Sequence, residues 1–177
     1  MNKKHNVYKM VYIALLVAQA MVVFKLEEFV PVPFPAIPGA KLGLANIFTM
    51  VALYTLGPRA TFAVVVLRSL LSMLISNNPG AFIYSFSGAM LSFFVMLTLK
   101  NTFGERLSRI GVSVAGAFSH NLGQLLAAAL MISEPRVLMY LPALTIIAIP
   151  TGFFIGMTAN FMLEHIVKLG IMRQLKR

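Results

Sequence analysis

Long apolar runs alternate with short polar breaks along the whole chain. Six runs stand out, at about 8–24, 42–56, 60–75, 81–99, 110–132 and 137–163. About 20 mostly apolar residues cross the ~30 Å of a bilayer's hydrocarbon as a helix. The pattern therefore predicts an all-α integral membrane protein with six transmembrane helices. The second and third runs are short and are expected to extend into their flanks. Gly57-Pro58 separates them, a pair that favours a tight turn. Six spans use most of the chain, which reads as one transmembrane domain over 1–177. No period of 20–50 residues and no low-complexity tract is evident.

The positive charges set an orientation. With the N-terminus inside, Lys3, Lys4, Lys9, Arg59, Lys100, Arg106, Arg109, Lys168, Arg173, Lys176 and Arg177 face the cytoplasm. Only Lys25, Lys41 and Arg136 fall outside, and Arg68 lies within a run. Eleven against three predicts an N-in, C-in, multi-pass protein of the cell membrane, read here as a bacterial cytoplasmic membrane. The outer loops are mostly short. The first, about 25–41, is the longest, and its prolines Pro31, Pro33, Pro35 and Pro38 favour stiff extended backbone. Two readings of that loop are open: a lid over the outer end, or a rigid connector.

Composition then narrows the chemistry. Of 177 residues, 59% are apolar and 11% charged, which excludes a soluble domain of this size. The net charge of +10 is accounted for by the flanks of the apolar runs, so it does not indicate nucleic acid as a partner. Cysteine is absent, and so are disulfides, thiolate nucleophiles and Cys-ligated metals. All five acids are glutamates. Without aspartate there is no aspartate-rich Mg²⁺–diphosphate motif, so the reading is not an enzyme. No cofactor and no metal site is expected.

Polar side chains inside apolar runs are costly and mark function by default. Arg68 sits mid-run, with Ser72 and Ser76 following at i+4 and i+8, and no carboxylate at its depth is evident. It either meets an anionic ligand or ties helices together. His120, Asn121 and Gln124 share one side of the fifth helix among the small residues Gly116, Ser119 and Gly123. They read as ligand contacts or as an interhelical clamp. Asn46 falls near the outer start of the second run, just after Lys41 and Gly43. A cation at a helix start opposes the helix dipole, so Lys41 reads as serving an anion or a lipid headgroup. Tyr84 and Ser85 open the fourth run from the outside. Lys41, Asn46, Arg68, Tyr84, Ser85, His120, Asn121 and Gln124 are the candidate ligand-binding residues of one outward-facing cavity. Pairs of small residues, Ala14-x-x-x-Ala18 and Gly152-x-x-x-Gly156, permit close helix contact. Pro142 and Pro150 are expected to kink or segment the sixth helix.

Several of these stretches carry a family resemblance. Pro38-Gly39-Ala40-Lys41-Leu42-Gly43-Leu44-Ala45-Asn46-Ile47 resembles the signature of the Gx transporter family, also called heptaprenyl diphosphate synthase component I. Leu67-Arg68, Tyr84-Ser85-x-Ser87-Gly88 and Ser119-His120-Asn121-Leu122-Gly123-Gln124-Leu125 match in order, over roughly residues 8–165. The family is similar to the substrate-binding S components of energy-coupling factor transporters. The resemblance implies a six-helix bundle that binds a small molecule near the outer face. It also implies that Ala14 and Ala18 contact a coupling subunit. A vitamin, flavin, quinone or isoprenoid type of ligand is implied, with an anionic or carbonyl group. The alternative it implies is a non-catalytic membrane subunit that docks a prenyl synthase, or a flavoprotein in quinone-linked electron transfer.

The orientation is directly testable. A green fluorescent protein fused after Arg177 is expected to fluoresce and an alkaline phosphatase fused there to be inactive. The two readouts should exchange for fusions after Glu28.

Overall fold

A computed structural model describes residues 3–30, 41–76 and 79–176. Among these the chain is helical, with no strand. α1 is Lys3–Leu26, followed by one 3₁₀ turn at Glu27–Phe29. α2 is Asn46–Thr55, α3 Pro58–Ser76, α4 Pro79–Phe103 and α5 Arg109–Met131. A 3₁₀ turn at Pro135–Tyr140 leads into α6, Leu141–Lys168, and α7 is Ile171–Lys176. The Pro-rich stretch considered as a lid, with Pro31, Pro33, Pro35 and Pro38, lies outside the described residues.

Four stretches are long and apolar enough to cross a membrane: Asn6–Phe29, Pro58–Ser76, Phe82–Arg106 and Pro135–Lys168. Large apolar side chains cover their outer surfaces. Leu15 and Val22 on α1, and Ile146, Phe154 and Phe161 on α6, are all exposed, as suits contact with lipid. α5 has 23 residues, enough for about 34 Å. His120, Asn121 and Gln124 keep it out of that apolar set. The expected second span is different in kind. α2 has only ten residues, about 15 Å of helix, and nine of them are buried. It is a core helix, approached by an irregular segment at 41–45.

Why α2 starts where it does follows from the turn after it. Gly57 takes a positive φ of 80°, a conformation that glycine adopts without strain. α2 and α3 run antiparallel on either side. Asn46 and Arg68 are each eleven residues from Gly57, so they meet at one level, about 16 Å from the turn. Asn46 therefore lies deep in the bundle, not at its outer rim as its position in the run suggested. Residues 41–45 must then descend into the bundle from the end of α1.

α5 is the central element, packed between α4 and α6. Ser108 starts it, its hydroxyl accepting the Gly111 N–H at 3.0 Å. Missing side chains make the packing possible. A Cβ on Gly123 would lie 2.7 Å from the Ser87 carbonyl oxygen of α4. One on Gly152 would lie 2.6 Å from Cα of Val114, and one on Gly156 2.8 Å from Cα of Ile110. The Gly152-x-x-x-Gly156 pair thus seats α6 on α5. Neither proline breaks α6: Pro142 falls in its first turn, and the helix continues through Pro150. That corrects the expectation of separate segments, because packing on α5 holds the helix together on both sides of Pro150.

The α4–α5 contact leaves no room for a methyl group. Gly123→Ala is expected to lower stability by about 1–3 kcal/mol in thermal unfolding of the detergent-solubilised protein. Gly104 has φ +53° and open space around its Cα. Gly104→Asn should therefore change stability by less than about 0.5 kcal/mol.

Candidate functional site

The irregular segment 41–45 is the scaffold of the site. In hydrocarbon, non-helical backbone persists only where its N–H and C=O groups find partners within the protein. Two side chains supply them here. Gln124 of α5 accepts the Lys41 N–H through Oε1 at 3.0 Å and donates Nε2–H to the Lys41 carbonyl at 2.8 Å. Glu27, in the turn after α1, accepts the Gly43 N–H at 2.5 Å and the Leu44 N–H at 3.4 Å. Gly43 has φ +81°, and a Cβ there would lie 2.7 Å from Cδ2 of His120. Gly88 of α4 approaches the same ring from another side, 2.9 Å from Nδ1 by the same measure. His120 is thus clasped between two glycines, one from the irregular segment and one from α4.

Glu27 is the residue that sequence reasoning misplaced. The run boundaries put it in the first outer loop, about 25–41, yet it is only 4% exposed. It binds the segment that leads into Asn46, the partner of Arg68, but no ion pair within 4.0 Å joins Glu27 to Arg68. Arg68 thus has a buried carboxylate in its neighbourhood but no ion-pair partner among the described residues. Helical phase carries the signal: Leu16, Ala20 and Phe24 are buried at i, i+4 and i+8, and Glu27 continues that stripe at i+11. Glu28, one residue on, points away and pairs with Lys25 at 2.9 Å and Lys41 at 3.2 Å.

Arg68 is 6% exposed and donates through Nη2 to Asn46 Oδ1 at 2.8 Å. Several buried polar atoms near it have no partner: Arg68 Nε, Asn46 Nδ2, Glu27 Oε2, and both ring nitrogens of His120. A crevice lined by Ala20, Met21, Phe24, Arg68, Ser69, Ser72 and Ser85 reaches the guanidinium, and it is too narrow to admit a water molecule.

Lys41 makes its contacts at the end of the preceding helix. Its ammonium donates to the Phe24 carbonyl at 3.1 Å and lies 3.1 Å from the centre of the Phe24 ring. It caps the C-terminal end of α1, where a helix dipole favours a cation.

Lys41, Asn46, Arg68, Ser85, His120 and Gln124 thus gather around the irregular segment and its crevice. Two candidates do not. Tyr84 packs into an apolar cluster with Leu125, Ala128, Val137 and Leu144. Asn121 turns to α6 and donates to the Leu144 carbonyl at 3.0 Å. Ala14 and Ala18 are exposed and line an apolar groove of about 530 Å³ between α1 and α3, with Met10, Val17, Ala63 and Leu67. Among the described residues, no three His or Glu side chains converge as a metal site would require.

The family model of heptaprenyl diphosphate synthase component I matches residues 16–162, from α1 through most of α6. The chain belongs to that family. The match takes in every residue of the cluster, so the component I family and this buried polar arrangement coincide along the chain. No curated protein and no solved structure matches.

The two adjacent glutamates make a sharp test. Glu27→Ala is expected to cost at least about 2 kcal/mol, because it orphans two buried N–H groups. Glu28→Ala should cost less than about 1 kcal/mol. Thermal unfolding in one detergent reads both.

Proposed function

We propose that this component I family member is a membrane-embedded binding component, similar in build to the S components of energy-coupling factor transporters. Its ligand is a small molecule bearing an anionic or carbonyl group, of vitamin, flavin, quinone or isoprenoid type. One observation carries the reading. Unpartnered buried atoms of Glu27, Asn46, Arg68 and His120 gather around one segment, whereas the other such atoms among the described residues are single hydroxyls, on Tyr12, Thr49, Ser92 and Ser113. Each orphan costs about 1–3 kcal/mol. A ligand that offers both an acceptor and a donor would offset that cost. Arg68 would bind its anionic or carbonyl oxygen, with Asn46 and His120 completing the contact, and Ser85 and the serines of α3 lining its entry. Lys41 and Gln124 hold the backbone that frames them. Tyr84 and Asn121 serve the fold around the site.

In this reading the chain makes six passes of the bacterial cytoplasmic membrane, N-in and C-in. The segment 41–45 and α2 together form the second pass, and α5 the fifth. The crevice beside Arg68 is closed, so entry requires α1 to separate from α3 and α4. The groove at Ala14 and Ala18 lies on the same two helices and suits a transmembrane helix of a coupling subunit. A partner seated there could open or close the crevice.

A second reading rests on the family's description. A component I implies another component, and this chain would then be the non-catalytic membrane subunit that docks a prenyl synthase.

Mass spectrometry of small molecules retained by the purified protein tests the first reading. Wild type is expected to carry one ligand near stoichiometrically, and Arg68→Gln to lose it by at least about tenfold while still folding. A ligand-free wild type, together with capture of a prenyl synthase from native membranes, would instead establish the second.

A further inference from the structure

The end of the bundle opposite the Arg68 cluster carries a second arrangement of charge. α2 and α4 finish there, α5 begins, and α6 runs out into α7. Tyr54, at the end of α2, lies at its centre. Its ring has the Lys100 ammonium 4.7 Å and the Arg109 guanidinium carbon 5.5 Å from the ring centre. Two cavities adjoin, each lined by both Tyr54 and Arg109. One, of about 530 Å³, adds Lys100, Leu107 and Ser108. The other, of about 480 Å³, adds Lys168 and an apolar wall of Leu163, Val167 and Met172. Both sizes suit small-molecule sites.

The cations in these cavities are only partly engaged. Arg109 donates through Nη1 to Asn160 Oδ1 at 2.6 Å, and Lys100 donates to the Leu53 carbonyl at 2.6 Å. Glu105 and Glu164 also line the cavities, but Glu164 accepts from Asn160 at 2.8 Å. Among the described residues, none of Lys100, Arg109 and Lys168 is ion-paired within 4.0 Å. Three cations against two carboxylates leave the lining net positive. Arg109 lines both lobes, and its planar fork has donors beyond the one given to Asn160, a group matched to phosphate oxygens.

We propose that this two-lobed cavity binds a phosphate ester that carries an apolar chain. Lys100, Arg109 and Lys168 hold the phosphate. Leu163, Val167 and Met172 take the first part of the chain, and the apolar outer surface of α6 leads the remainder into the bilayer. A membrane phospholipid and a prenyl diphosphate share this chemistry. The site stands apart from the Arg68 cluster, so either can be present without the other.

Titration of the full-length protein in an uncharged detergent distinguishes the sources. The probes are farnesyl diphosphate, farnesol and a short-chain phosphatidylglycerol. At least one phosphate-bearing probe is expected to bind, farnesol not to, and Arg109→Gln to weaken binding about tenfold. Binding of farnesyl diphosphate that phosphatidylglycerol does not displace assigns the site to prenyl diphosphates. Mutual displacement, or binding of phosphatidylglycerol alone, assigns it to lipid headgroups. Lys168→Gln alters an exposed residue and carries the same test if Arg109→Gln does not fold. Equal affinity for farnesol, unchanged affinity in the variants, or loss of binding in Arg68→Gln but not in Arg109→Gln would overturn the proposal.

Discussion

A few residues of non-helical backbone lie inside a bundle whose outer surface is built for lipid. Most of the polar chemistry in this protein follows from that. An unpaired peptide group in hydrocarbon costs several kcal/mol. The segment 41–45 survives because Glu27 and Gln124 stand in for a neighbouring strand, one as a double acceptor and the other as an acceptor–donor pair. Once Glu27 is buried for that purpose, a positive charge at the same depth becomes tolerable. Arg68 then has a buried carboxylate in its neighbourhood and the Asn46 amide in contact. The glycines that clasp His120 are part of the same arrangement, since a side chain at Gly43 would push the segment, and one at Gly88 would push α4, away from α5.

The two ends of the bundle differ in electrostatic design. Near the Arg68 cluster, ionisable groups of both kinds are buried, and the crevice beside them admits no water. Around Tyr54, cations remain partly exposed on the rims of open cavities. A buried cluster discriminates by shape and by donor–acceptor pattern, because any mismatch leaves a group unpaired. A partly exposed cationic rim responds mainly to charge and is screened by salt. The family's description, with its reference to a prenyl diphosphate, does not by itself favour one end over the other.

Much of the fold was legible from hydrophobic runs and punctuation. The α3, α4 and α5 boundaries fall within about four residues of the runs, because Gly57-Pro58, Pro79 and Ser108 mark helix starts by local chemistry. What was not legible depended on tertiary partners. The run at 42–56 reads as a uniform span, and nothing local reveals that its first residues stay irregular while Glu27 holds them. Glu27 and Glu28 look alike in sequence, and only the phase of the α1 stripe separates them. Lys41 was judged against the helix that follows it, when its partner is the end of the helix that precedes it. In the site, six of the eight candidate residues converge. Asn121 and Tyr84 do not: Asn121 is turned to the Leu144 carbonyl of α6, and Tyr84 to an apolar cluster with Leu125 and Leu144.

The antiparallel pairing about Gly57 has a bearing on how the protein is made. Glu27 and Asn46 both precede Arg68 in the chain, so they are synthesised first. When α3 enters the bilayer beside α2, the amide that accepts from Arg68 is already at the matching depth. The charge need never be stranded alone in lipid during insertion: the order of residues along the chain doubles as an order of assembly.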